Sequence, residues 1–129
     1  MGKRSPYRII SRTETPVIFR VPLDARYHGE AVAAEVIAVF LCEPGDLDGQ
    51  TMACYSHGGQ HGACSRDWYL LNTRLAMPDE YADLKAELEA GPYFYRLRVY
   101  TQVFRGLQIR FDQAVHFLRQ RQKRACAAY

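Results

Sequence analysis

The sequence predicts an α+β fold: a small antiparallel sheet of about five strands, one helix packed on a face, and a basic helix at the C-terminus. Three observations carry this. Short β-branched and aromatic runs crowd the first half of the chain, a single well-punctuated amphipathic helix follows them, and the final apolar spacing is helical and gives way to arginines. With 129 residues, 48% of them hydrophobic, the chain is long enough for one core, so residues 1–129 read as one domain with 105–129 as a basic helical extension.

The elements follow in order. "YRIISR" (7–12) and "PVIFRV" (16–21) read as the opening strands, and Pro16 suits a strand's first residue. "VIAVFL" (36–41) is an almost unbroken apolar run, as expected of a strand covered on both faces. "EPGDLDGQ" is dense in turn residues, and "TMACYS" (51–56) resumes an extended pattern to complete a hairpin. In "MPDEYADLKAELEAG", Pro78 fits the first helical position and Asp79 and Glu80 complement the positive helix start. Tyr81, Leu84 and Leu88 form its buried stripe, and Gly91 is expected to end it in a left-handed conformation. "YFYRLRVYTQVF" (93–104) alternates as a long strand, with Tyr95, Leu97 and Val99 on the core side and Arg96, Arg98 and Tyr100 on the wet side. Phe111, Val115 and Leu118 then recur at helical spacing in the closing segment, where the apolar first turn serves either the monomer core or a homodimer seam.

Charge is distributed unevenly around a net +3. Residues 1–12 carry +4, residues 13–104 hold seven basic and thirteen acidic side chains, and residues 105–129 carry +5 through Arg105, Arg110, Arg119, Arg121, Lys123 and Arg124 against Asp112. If the two basic ends converge they make a patch able to meet phosphate, and if they diverge they are solvated tails. No apolar run reaches the ~20 residues needed to cross a bilayer, and "MGKRSPYRII" lacks the apolar region of a secretory signal. The expectation is a cytoplasmic protein with no membrane partner, whose four cysteines are thiols or ligands.

The unusual stretch is "CYSHGGQHGAC" (54–64). Cys54, His57, His61 and Cys64 supply two thiolates and two imidazoles, a complete tetrahedral zinc set by residue type. Their spacing sits badly with it, because His57 and His61 share a face only on a helix, and Gly58 with Gly59 opposes one. A second reading is a polar binding loop, in which glycine-rich backbone turns its amides inward and His57, Gln60 and His61 act as donors at the rim. A third is nucleophilic catalysis by Cys64 with His61 as base and Asp67 as orienter; the phosphatase spacing of cysteine and arginine fails, since position 70 is leucine. Against all three stands a purely structural role, in which the histidines and Gln60 pair with backbone groups and the glycines satisfy turn geometry. Trp68 and Tyr69 then anchor "SRDWYLLN" to the core.

"PVIFR", "EVIAVF", "CYSHGGQHGACS", "PDEYADLKAELEAG" and "YRLRVY", taken in succession, resemble a group of small uncharacterised proteins of bacteriophages, plasmids and integrated elements that share a Y-x-H-x-G-Q-H-G segment. The resemblance spans about residues 16–100, and His57 to Gly62 is its most specific part. This chain departs from the group in having Cys54 where serine is usual, Cys64 where a small residue is common, Gly58 in place of valine, and a longer extension after Phe104. The first two departures take half of the zinc set out of the shared pattern. The resemblance implies an accessory protein of a mobile element and carries no activity over; this chain is expected to act by binding, without catalysis or a resident cofactor. It would engage a host protein complex, for instance as a defence inhibitor, through His57, Gln60 and His61 together with Arg119, Arg121, Lys123 and Arg124 of the basic helix. Two alternatives remain open: a nucleic-acid-binding protein, and a zinc-binding or histidine-dependent hydrolase.

Overall fold

The computed structural model describes residues 13–24, 26–27, 29–31 and 34–127. The expected strand at 7–12 and the basic residues of the N-terminus lie outside this set. The described elements run β1 (Thr15–Pro22), β2 (Arg26–Tyr27), β3 (Glu30–Ala31), β4 (Ile37–Pro44), β5 (Thr51–Ser56), β6 (Gln60–Ser65), α1 (Arg66–Asn72), β7 (Thr73–Leu75), α2 (Pro78–Glu89), β8 (Leu97–Val99) and α3 (Arg105–Ala127). The fold is α+β. The main sheet has the order β6-β5-β4-β1-β7, antiparallel throughout, and β8 joins the opening residues of β1 in parallel. β2 and β3 pair separately.

Alternation along β1 and β4 divides the core into two layers. Val17, Phe19, Val21, Ala38 and Phe40 point to one face, where Leu84 and Leu88 of α2 cover them. Ile18, Val39 and Leu41 point to the other, beneath Leu107, Phe111 and Val115 of α3. The "VIAVFL" run is therefore apolar throughout because both of its faces are covered. Leu107, Phe111 and Val115 bury into the chain's own core. A register shift between Val39 and Pro44 lets Leu41 and Cys42 both contribute to the α3 layer.

α2 begins as the sequence predicts: Pro78 opens it, and the Glu80 carboxylate accepts from the Met77 amide at 2.9 Å. Its end differs. Gly91 is not left-handed; Phe94 is, at φ 52°, and its ring lies so close that a Cβ on Gly91 would meet Phe94 Cζ at 2.7 Å. This reversal also shortens the expected strand 93–104 to Leu97–Val99. The alternation of faces holds, with Tyr95, Leu97 and Val99 on the α2 layer, but the expected wet side does not, since Tyr100 packs on the α3 layer, and ladder pairing is limited to three residues of β1. α3 starts at Arg105, where the predicted extension begins, and Leu107 lies one helical turn ahead of Phe111.

Besides β2, β3 and β7, two longer elements were unexpected. Residues 60–65 form a strand in place of a loop, and 66–72 form a short helix whose Ser65 cap accepts from the Trp68 amide at 3.4 Å. Tyr69 is the anchor of that helix at 2% exposure, whereas Trp68 stays 42% exposed. Among the described residues no helix is long and apolar enough to cross a membrane.

Candidate functional site

β5 and β6 form a hairpin paired in unbroken register from Thr51↔Ser65 to Ser56↔Gln60. Residues 57–59 make the turn, with Gly58 and Gly59 both at φ 79°, a conformation that costs a side-chain-bearing residue about 1–2 kcal/mol. The two glycines thus make a tight reversal and send the chain back along β5. Gly58 and Gly59 are the hairpin signal in the sequence.

Strand alternation then separates what the C-x2-H-x3-H-x2-C spacing seemed to unite. Cys54 and Cys64 lie on the α3 face, in the layer with Met52 and Tyr69. Tyr55 and its partner His61 lie on the α2 face, with ring centroids 4.9 Å apart. The zinc set is therefore split across the sheet, and so are Cys64 and its expected base His61. Among the described residues no three His, Cys, Asp or Glu side chains are grouped to hold a metal ion.

On the α2 face the hairpin tip is tied down by side chains from two other segments. Glu87 of α2 receives the Gly58 amide on Oε1 at 3.3 Å, and its Oε2 lies 3.3 Å from His57 Nδ1, within ion-pair range but without hydrogen-bond alignment. The Gly59 amide donates to the Tyr55 hydroxyl at 3.0 Å, and His61 Nε2 lies 3.2 Å from the Tyr93 hydroxyl. Tyr55, His61 and Tyr93 meet edge to face, and Tyr93 stacks on Tyr95, which abuts Phe40 in the core. Burial pushes the Tyr55 hydroxyl up to about 12, helped by hydrogen bonding to Tyr93 and by the Glu87 carboxylate beside it. A phenol held neutral in this way serves as the acceptor that fixes the Gly59 amide. Tyr55, Glu87 and Tyr93 were not singled out in the sequence; the tyrosine cluster at 93–95 and the hairpin signal were the available clues.

On the α3 face, Cys54 and Cys64 are diagonal neighbours, and the Cys64 thiol donates to the Ser65 carbonyl at 3.8 Å. The Cys64 thiol lowers Cys54 to about 7, and the same contact, together with burial, raises Cys64. Cys42, in the same layer, is pushed up to about 11 by burial and donates to the Leu107 carbonyl at 3.7 Å.

The basic helix lies elsewhere. Arg119 Nε donates to the Leu47 carbonyl at 2.7 Å, in the β4–β5 connection, which is at the opposite end of β5 from the hairpin tip. A six-residue strand separates the two by roughly 20 Å, and α3 covers the other face of the sheet. The structure thus brings His57 and His61 together with Glu87 and the tyrosines, leaves Gln60 exposed on the opposite face of β6, and sets Arg119, Arg121, Lys123 and Arg124 apart on an exposed helix end. No family model, curated protein or solved structure matches the chain.

Proposed function

We propose that this protein is a non-catalytic binding protein that engages a protein partner by strand addition along β6, with His57, Gln60 and His61 at the recognition end. One observation carries the reading: β6 is an unguarded sheet edge. Its sequence, QHGACS, has no lysine, proline or acidic residue, and it runs six residues without a bulge. Among the described residues nothing pairs with its outer side. Exposed edges normally carry charges, prolines or bulges that prevent pairing with other chains. The opposite edge shows that protection: β7 is three residues long, and its Arg74 is held by both carboxylate oxygens of Glu80 at 2.8 and 2.6 Å. A strand left open and rigidly held at its tip is a template for an incoming strand. The resemblance to proteins of mobile elements supports a host protein complex as that partner.

The test is a paired capture from host lysate with the parent chain and with Gln60→Lys/Ala63→Lys, which places one charge on each face of the edge. The expected result is a partner retained by the parent, lost from the double variant, and kept when Arg121, Lys123 and Arg124 are replaced by glutamine. Unchanged thermal melting of the double variant must accompany the loss. A partner indifferent to the β6 charges overturns the reading, as does self-association through β6 alone, seen by sedimentation.

A second reading has its own observation. Residues 119–127 of α3 are all exposed, and four of them are cationic. If that end meets nucleic acid, affinity falls with salt at a log-log slope of about 0.9 per phosphate contact, roughly −3 to −4 for four contacts.

A further inference from the structure

The contact between Cys54 and Cys64 has no part in the binding surface above. Cys54 pairs with Gly62 and Cys64 with Met52, so the two cysteines are diagonal neighbours on one face of an antiparallel hairpin. Right-handed twist draws one such diagonal together, and both side chains pack in the same core layer beneath α3. Their surroundings differ. Cys64 is buried against Tyr69 and Met52, while Cys54 is half-buried. The residue opposite Cys54 is Gly62, where a Cβ would stand 3.3 Å from the Cys54 sulfur. Absence of that Cβ leaves the sulfur uncovered on the side of the open edge.

We propose that Cys54 and Cys64 are a reversible dithiol–disulfide pair that exchanges with small disulfides of the glutathione class, Cys54 attacking and Cys64 resolving. In the first step the Cys54 thiolate attacks one sulfur of the small disulfide. A mixed disulfide forms on Cys54 and one small thiolate leaves. Cys64 then gives up its proton and attacks the Cys54 sulfur, and the second small thiolate leaves with the Cys54–Cys64 bond formed. The two protein thiols lose two electrons and two protons, and the small disulfide becomes two thiols. Bond formation draws the sulfurs together to about 2.05 Å. β6 can supply that movement because it is held on one side only.

Half-buried Cys54 beside buried Cys64 makes this assignment chemically coherent: the pairing lowers Cys54 to about 7, so the more accessible thiol attacks first. Cys42 is the internal control, being buried and poorly acidic, and exposed Cys126 is removed by Cys126→Ser.

The experiment incubates the Cys126→Ser chain with oxidised glutathione at pH 7 and reads intact mass and a peptide map. The expected product is two hydrogens lighter, carries no adduct and links residue 54 to residue 64. Reduced glutathione returns it to the starting mass. With Cys64→Ser added, one glutathione accumulates on Cys54; with Cys54→Ser added, Cys64 stays unmodified. A glutathione adduct that persists on Cys54 while Cys64 is present, a link that includes Cys42, or no reaction at either thiol overturns the proposal. The map of the parent-like chain decides this even where a serine variant fails to fold.

Discussion

His61 Nε2 lies 3.2 Å from the hydroxyl of Tyr93, thirty-two residues further along the chain, and this contact fastens the β5–β6 tip to the segment after α2. Tyr93→Phe removes the hydroxyl and keeps the ring packing against Tyr55 and Tyr95. A net hydrogen bond of this kind contributes about 0.5–1.5 kcal/mol. The urea midpoint should fall by a corresponding amount with an unchanged slope, and amide exchange should quicken at residues 57–61 and not in β1 or β4. Uniform acceleration across the sheet would show that Tyr93 acts on the whole core.

The turn itself makes a separate prediction. Gly58 has open space where a Cβ would be added, so Gly58→Ala isolates the backbone cost of its positive φ from any clash. Destabilisation of about 1–2 kcal/mol is expected in chemical denaturation, and Gly58→Asn should recover part of it, because asparagine tolerates this region better. Equal stability of the alanine variant would mean that the turn relaxes to another form.

These two sites show what was legible in the sequence and what was not. The apolar run at 36–41 and the Leu84 and Leu88 stripe could be read directly, because each side chain's period matches the face that buries it. Tyr81, the third member of the stripe, stacks on Phe19 with centroids 4.4 Å apart. β6 could not be read in the same way. Gln60, His61, Gly62 and Ala63 lack the β-branched and aromatic residues that mark strands, and they are extended because β5 pairs with them. The segment 93–104 failed in the opposite sense: its alternation is real, yet the left-handed Phe94 and a three-residue ladder stop the strand. Cysteine and histidine spacing misled for one reason, that a period of two places residues 61 and 64 on opposite faces.

Acid sensitivity should include a small, salt-screened contribution from Glu80, whose ion pair with Arg74 is exposed to solvent. Bidentate contact with Arg74, reinforced by the Met77 amide, lowers its carboxyl to about 2. A carboxyl with a depressed folded value contributes stability that is complete above its ordinary value of 4.5 and is lost as pH falls toward 2. Melting temperature should therefore decline between about pH 5 and pH 2, and Glu80→Gln should lower it at pH 7 while flattening that part of the profile. A parent and variant with parallel profiles would place the acid transition elsewhere.

The two core layers should respond alike to truncation although one lies under each helix. Leu84 and Leu107 are both fully buried, in the α2 and α3 layers respectively. Leucine-to-alanine changes at such positions cost about 2–5 kcal/mol through lost transfer energy and the cavity left behind. Leu107→Ala also tests whether α3 is integral to the domain. If the helix were an appended arm, its truncation would melt α3 alone, losing helical signal without moving the transition of the sheet. Phe111 and Val115 lie with Leu107 over Ile18, Val39 and Leu41, so a single cooperative transition at lower denaturant is the expected outcome. It should appear identically by far-ultraviolet circular dichroism and by tryptophan fluorescence from Trp68.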